Sequence, residues 1–282
     1  MKLQFLGTGA AEGVPAIFCN CAICQEARRR GESEYHTRAQ FIIDDTVGID
    51  FPPDAYYHAL RFGVDLTKLE HLLVTHSHMD HFYAHDFVLR GYKYCALLEK
   101  PLTIYGNAEV KKVFEECTRR EMREVVAKSI HMVEVQPFKP FAFGDYKATA
   151  LLAKHSQTET AYVYLIEKGE KTYLHLTDTG ILPQSTLNYL ETWAKTEGKG
   201  VNFVTFDCTF LFNPASENGR HMGLQENKFL QAELRARGIV NSATEYAITH
   251  YSHNNNPRSE TLERAEKEYG FLSTQDGKIV FI

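Results

Sequence analysis

The stretch Thr75-His76-Ser77-His78-Met79-Asp80-His81 constrains this chain more than any other. It places four ligand-type side chains within six positions, directly after the apolar run Leu72–Thr75. With 13 His in 282 residues, an H-x-H-x-D-H pattern arises by chance in roughly one such chain in a thousand. Extended backbone alternates faces with period two, so His76, His78 and Asp80 are expected to point one way and His81 the other. A single cation needs only three such groups. Four crowded together point instead to two neighbouring cations, the arrangement of two-metal hydrolytic sites. Four side chains cannot complete two coordination shells, so the fold must deliver further ligands from distant segments. His155 follows the run Lys147–Ala153, Asp178 follows Thr172–Leu176, and His250 follows Tyr246–Thr249. Each stands where a strand gives way to a loop.

The rest of the chain is organised around short strands and amphipathic helices. Lys2–Leu6 ends at Gly7-Thr8-Gly9, a strand running into a tight turn. Gln40–Asp44 is a second β-rich run. Pro52-Pro53 opens a helix that Gly63 closes, and Asn107 caps another through about Arg120. Ile130–Val135, Lys147–Ala153, Ala161–Glu167 and Thr172–Leu176 form a meander, with Gly144-Asp145 and Lys168-Gly169-Glu170 as turns. Helices after Pro183, over Leu224–Arg237 and after Asn256-Pro257 then alternate with strands at Val201–Phe206, Tyr246–Thr249 and Ile279–Ile282. The order predicts an α/β (α+β) protein in which two sheets pack together with helices outside. It shows no repeat and no linker, so residues 1–282 read as one domain.

Composition narrows the function classes. The formal charge of −5 argues against a general nucleic-acid binder. No apolar run approaches the roughly 20 residues that span a bilayer, and the opening Met1–Leu6 is too short for a secretory signal. The expected compartment is the cytoplasm, with no membrane partner. In a reducing compartment the cluster Cys19-x-Cys21-x-x-Cys24 reads as a metal or redox site sooner than as cross-links. Structural zinc wants four closed ligands. Cys95, Cys117, Cys208 and the remaining histidines compete for the fourth position, and the alternative is a set of incidental cysteines.

Together these motifs resemble the metallo-β-lactamase superfamily: a first strand with Gly-Thr-Gly, the H-x-H-x-D-H loop, then a lone His, a lone Asp and a lone His, in that order along the chain. The resemblance implies an αββα four-layer sandwich of two mixed sheets flanked by helices. It implies His76, His78 and His155 on one metal, Asp80, His81 and His250 on the other, and Asp178 bridging them. A bridging carboxylate suits a phosphodiesterase or lactonase, and Cys208 does not occupy the place of the thiolate that β-lactam hydrolysis would use. Gly7-Thr8-Gly9-Ala10-Ala11-Glu12-Gly13-Val14-Pro15, the three cysteines and Thr249-His250-Tyr251-Ser252-His253 resemble more narrowly a subgroup of cyclic phosphodiesterases. There the three cysteines and the second histidine hold a structural zinc, which implies Cys19, Cys21, Cys24 and His253. The same resemblance implies a homodimer.

His221, in Asn218-Gly219-Arg220-His221-Met222, matches a histidine that the subgroup places over the substrate. Its alternative is an exposed loop residue. Asp50 and Asp207 end β-like runs and are expected to orient ligand histidines. His85 and Asp86 lie just past the metal loop, and Arg38 and Tyr83 are candidates to meet a phosphate. Three segments depart from the resemblance: Phe82–Asp86, an apparent insertion over about 111–131, and the loop Phe210–Arg220. The expected activity is hydrolysis of a small cyclic phosphodiester with two divalent metals, zinc or manganese, plus one structural zinc. Asp80 and His221 would act on the reacting groups. The competing readings are a tRNA 3′-processing type of endoribonuclease, a lactone or thioester hydrolase, and a non-catalytic zinc-binding module.

Overall fold

In the computed structural model, residues 1–215 and 219–282 are described. Residues 216–218, part of the Phe210–Arg220 loop and of the motif around His221, lie outside the described residues. The first half of the chain supplies β1 (Lys2–Gly7), β2 (Gln40–Ile43), β3 (Val47–Ile49), β4 (His71–Leu73), β5 (Leu102–Gly106) and β6 (Ile130–Glu134). The second half supplies β7 (Pro140–Phe143), β8 (Tyr146–Leu152), β9 (Tyr162–Lys168), β10 (Lys171–Leu176), β11 (Val201–Asp207), β12 (Val240–Thr249) and β13 (Leu272–Ser273). A last strand, β14 (Ile279–Phe281), returns to the first sheet beside β1. The sheet orders are β14-β1-β2-β3-β4-β5-β6 and β13-β12-β11-β10-β9-β8-β7. The helices are α1 (Ala22–Arg30), α2 (Ala55–Phe62), α3 (Ala108–Thr118), α4 (Glu124–Ala127), α5 (Gln184–Glu197), α6 (Leu224–Ala236) and α7 (Ser259–Tyr269).

Period-two alternation explains how the layers stack. In β2, Phe41 and Ile43 face the second sheet, while Ile42 faces the outer layer of α2 and α3. In β9, Tyr162, Tyr164 and Ile166 face the first sheet, while Val163 and Leu165 face the opposite layer, which includes residues of α5, α6 and α7. Both faces of such strands are apolar, which is why they read in sequence as unbroken hydrophobic runs. The result is two mixed sheets face to face with helices on both outer sides, an αββα sandwich.

Local signals set several boundaries. The Asn107 side chain accepts the Val110 N–H and starts α3, and Gly63, in the left-handed region at φ 64°, ends α2. Strands β5 and β7 were not legible as strands, because four or five residues carry little periodicity and pairing with neighbours decides them. Strand β12 begins at Val240 rather than Tyr246, since Val201 of β11 pairs with Val240 across a register shift. Residues 111–131 fall in α3, α4 and the start of β6, and Val126 and Ile130 belong to the same core as Val110. Among the described residues no helix is long and apolar enough to cross a membrane.

Candidate metal centre

Strand direction brings the ligand-type residues to one edge. Strands β10, β11 and β12 are parallel, and β8 runs the same way because β9 is antiparallel to both β8 and β10. Their carboxyl ends therefore release His155, Asp178, Asp207 and His250 on the same side. In the first sheet, β4 feeds the loop His76–His81. Asp50, Asp178 and His250 are among several non-glycine residues with positive φ, at 61°, 56° and 66°. Strain of this kind costs about 1–3 kcal/mol per residue and persists where surrounding contacts impose it.

Among the described residues three overlapping groups of donor atoms form there, and Asp178 belongs to all of them; one, Asp178, Asp207, His221 and His250, shares His250 with another. The first is His76, His78, His155 and Asp178. In it, His76 Nε2 is 2.9 Å from His78 Nδ1, and His155 Nδ1 is 3.0 Å from Asp178 Oδ1. The second is Asp80, His81, Asp178 and His250. Here His81 Nε2 lies 3.1 Å from both Asp80 Oδ2 and Asp178 Oδ2, and His250 Nε2 lies 3.9 Å from Asp178 Oδ2. Simple face alternation is corrected at this point: Asp80 shares a group with His81, not with His76 and His78. The chain turns between them, with the His81 and Phe82 N–H groups both donating to the His78 carbonyl.

The donor set fits divalent cations. His81 Nε2, His155 Nδ1, His250 Nε2 and Asp178 Oδ1 are buried and none has an aligned hydrogen-bond partner among the described residues, although other donor atoms stand close by. Four-coordinate ions with bonds of about 2.0–2.1 Å hold their N and O ligands about 3.3 Å apart, close to the shorter spacings seen here. Asp50, Asp80, Asp178 and Asp207 are all buried, and buried negative charge demands compensation. Without a cation, protons supply it. Burial disfavours a charged His81, yet Asp80 and Asp50 outweigh this and raise its pKa well above the usual value. Burial likewise opposes ionisation of Asp178, and His250, His155 and His81 reverse the effect. Metal binding at such a site displaces protons.

Residues behind the donor side chains fix their orientation. Asp50 Oδ2 is 2.7 Å from His81 Nδ1, and Asp50 also accepts the Thr75 N–H at 2.8 Å. The Thr209 hydroxyl is 2.9 Å from His250 Nδ1. Each contact leaves the opposite ring nitrogen aimed into the donor group. Glu159 accepts from the Ser77 N–H and hydroxyl and from Asn107 Nδ2, tying the metal loop to the start of α3. Thr75, Thr209, Glu159 and Asn107 were not expected at the site. The threonines adjoin predicted residues, whereas nothing in the sequence marks Glu159.

His221 reaches the same edge. Its Nδ1 is 3.1 Å from both Asp207 Oδ2 and Asp178 Oδ1, and its ring stacks on His250 at 5.6 Å. Burial lowers its basicity, but Asp207 and Asp178 raise the pKa to about 9. Close backbone packing fixes its loop: a Cβ on Gly180 would lie 1.7 Å from the Gly219 carbonyl oxygen. Asp207 also accepts the Met222 and Thr209 N–H groups. His85 and Asp86 join none of the donor groups. His85 packs on Tyr83, and Asp86 lines an apolar cavity with Phe51, Leu66, Leu69 and Phe87. Arg38 pairs with Asp54 at 2.9 Å. Cys208 is buried, its thiol pushed up by desolvation, and lies outside every donor group among the described residues.

A separate group joins Cys19, Cys21, Cys24 and His253. His253 Nδ1 is 3.5 Å from Cys21 Sγ and 3.4 Å from Cys24 Sγ, close to the roughly 3.5 Å spacing of S and N around tetrahedral zinc. The Cys24 N–H and His253 lower the Cys21 thiol to about 6, while burial raises Cys24 to about 11. His253 lies three residues beyond His250, so this group ties the first loop to the strand end that carries a donor of the His/Asp groups.

The model of the beta-lactamase superfamily domain matches residues 49–240, from the end of β3 to the start of β12. The chain belongs to the β-lactamase superfamily. Its fold is shared by a diphosphatase of the PhnP family, with a TM-score of 0.71 and 22% identity over 100% of this chain and 97% of that one. It is shared too by zinc-bound PqqB from Methylobacterium extorquens, with a TM-score of 0.75 and 16% identity over 100% of both chains. An octanoyltransferase of Porphyromonas gingivalis is 28% identical over 168 residues, 56% of this chain and 31% of that protein. The chain thus spans about a third of the length of the curated relatives it matches.

Proposed function

We propose that this β-lactamase-superfamily chain is a binuclear metal-dependent hydrolase of small phosphodiesters, cyclic ones in particular, folded as one unit over residues 1–282. The observation that carries the reading is the pair of donor groups sharing Asp178, with His221 beside them. His76, His78 and His155 would hold one ion, Asp80, His81 and His250 the other, and Asp178 both. Zinc and manganese both suit such imidazole and carboxylate ligands. The ions supply a water of lowered pKa and neutralise charge on the substrate oxygens.

The chain's own groups do the rest. Asp50 and Thr209 hold His81 and His250 in the tautomers that turn Nε2 inward. Asp80 orients the attacking water. His221 keeps its Nδ1–H on Asp207 and donates the proton at Nε2 to the leaving alkoxide, work suited to an imidazolium held charged by two carboxylates. Lys154 precedes His155, and its Nζ lies 2.8 Å from where a Gly219 Cβ would be, two residues from His221. No hydrogen bond or ion pair of this ammonium is found among the described residues, which leaves a positive charge beside the site for a phosphate. Cys19, Cys21, Cys24 and His253 would bind a structural zinc.

The likeness to an octanoyltransferase favours a second reading, hydrolysis of an acyl thioester or lactone at the same ions. Protein loaded with zinc or manganese, assayed on a chromogenic phosphodiester, a lactone and an acyl thioester, separates the two. The phosphodiester should turn over fastest and Asp80→Ala should abolish that turnover. Failure with both metals, or undiminished turnover in Asp80→Ala, overturns the proposal.

A further inference from the structure

Away from the donor groups, Asp276 closes a network that the proposed reaction does not use. Its Oδ1 accepts the Thr8 N–H at 2.9 Å and lies 2.7 Å from Thr8 Oγ1. Its Oδ2 accepts the Thr37 N–H at 2.8 Å and lies 2.5 Å from Thr37 Oγ1. Thr8 Oγ1 is also 2.7 Å from His36 Nδ1, and His36 Nε2 is 3.0 Å from the Pro257 carbonyl oxygen.

The protons along this line can be counted. The Pro257 oxygen only accepts, so His36 Nε2 carries a hydrogen. The contacts His36–Pro257, His36–Thr8 and Thr8–Asp276 each need one hydrogen between two heteroatoms. A neutral imidazole and a threonine hydroxyl supply two. The third must sit on Asp276 or on His36 Nδ1. Turning the imidazole over would set carbon against both partners, so no ring flip removes the deficit. The parallel line through Thr37, His58 and Gln40 has no such deficit. Reversing the Gln40 amide lets Nε2, otherwise buried without a partner, donate to His58 Nδ1. His58 Nε2 then donates to Thr37 Oγ1, at 2.6 Å.

Other charged groups do not replace that proton. Glu32, Tyr35, Tyr57 and Arg61 line the cleft beside Asp276, and Arg61 is engaged by Glu32 at 2.6 Å. Glu34 acts on His36 and Asp54 on His58, both favouring the charged imidazoles. Among the described residues no lysine or arginine pairs with Asp276. Desolvation dominates, raising Asp276 to about 7 and lowering His36 to about 4, so the proton resides on the carboxyl.

We infer that Asp276 and His36 hold one proton between them through Thr8, and that this neutral pair positions the strand end that carries His250. The Thr8 carbonyl accepts the Tyr251 N–H at 2.9 Å, and the Ala10 N–H donates to the Tyr251 carbonyl at 2.9 Å. The His36 ring packs edge-on against Tyr251 at 5.0 Å. Tyr251 directly follows His250, so moving Thr8 moves that ligand. Asp276 is thus a positioning residue for the second donor group. This coupling rests on the proposed metal site, while the proton assignment does not.

Infrared and 15N NMR spectra of the full chain at pH 5–8, with and without zinc, test both parts. At pH 5 the wild type should show a carboxylic-acid C=O band that Asp276→Asn lacks and that fades as pH rises through about 7. His36 should be neutral and carry its hydrogen on Nε2. Thr8→Val should uncouple the two titrations, and Thr8→Ser should restore the wild-type pattern. An ionised Asp276 together with a neutral His36 at pH 5 overturns the proton assignment. In calorimetric zinc titrations, Thr8→Val should weaken the Asp80/His81/His250 group about tenfold and spare the His76/His78/His155 group, with Thr8→Ser near wild type. Equal affinities in a folded Thr8→Val overturn the positioning role. Absence of zinc binding at both groups in the wild type defeats the proposed function instead, and the infrared band still decides the proton.

Discussion

Replacing Asp50 by Asn should silence one donor group while leaving the fold intact. Asp50 sits at φ 61°, a region that Asn tolerates about as well as Asp, so the backbone carries no new strain. The Asn side-chain oxygen can still accept the Thr75 N–H, now taken by Asp50 Oδ1 at 2.8 Å. The amide NH2 then faces His81 Nδ1, where a carboxylate oxygen now stands at 2.7 Å. Two N–H groups cannot face each other at that distance. His81 must move its proton to Nε2, which is the atom aimed at Asp80 and Asp178. Loss of such a partner costs about 10–100-fold in metal affinity, equivalent to about 1.4–2.7 kcal/mol. Calorimetric titration with zinc, or cobalt absorption spectra, should show this loss for the Asp80/His81/His250 group only. Circular dichroism should show the fold retained, with the metal-free chain melting lower because a buried His81 loses one of its carboxylate partners. Equal losses at both groups, or none at either, would refute the tautomer argument.

Three other perturbations have defined outcomes. Cys24→Ser or His253→Ala should remove zinc from the cysteine group and lower the melting temperature, with hydrolysis falling less than stability; elemental analysis and thermal melts check this. Gly180→Ala sets a methyl against the Gly219 carbonyl and should displace His221, lowering turnover more than metal affinity in steady-state kinetics. Burial opposes ionisation of Asp44, but Lys168, the Tyr146 hydroxyl and the Lys2 N–H lower it to about 2. Its contribution to stability is therefore present above about pH 4 and lost as pH falls through about 2. Denaturant unfolding at pH 2 to 5 should show Lys168→Met losing part of that slope.

Local sequence carried much of the fold and half of the site. The apolar runs at Lys2–Leu6, Ala161–Glu167 and Val201–Phe206 became β1, β9 and β11, because strands buried on both faces leave an unbroken hydrophobic signal. The cap at Asn107 and the stop at Gly63 worked for similarly local reasons. His76, His78, Asp80 and His81 are adjacent in the chain, so their spacing alone marked a candidate cation site. The lone residues His155, Asp178 and His250 were legible only as ligand types at strand ends.

Bare periodicity failed where the chain turns. It assigned Asp80 to the face of His76 and His78, and the turn at His78–Phe82 put it beside His81. It also gave no sign of β5 or β7, which exist because neighbouring strands satisfy their backbone groups.

Residue order determined which side chains could bind cations and where strands begin and end, since both follow from chemistry within a few positions. Tertiary structure alone decided that Asp178 joins three overlapping donor groups, that Asp50 and Thr209 face the rings of His81 and His250, that Glu159 braces the loop His76–His81, and that Asp276 meets Thr8 from 268 residues away. These depend on strand order and direction, which bring distant loops to one edge and which no short window of residues encodes.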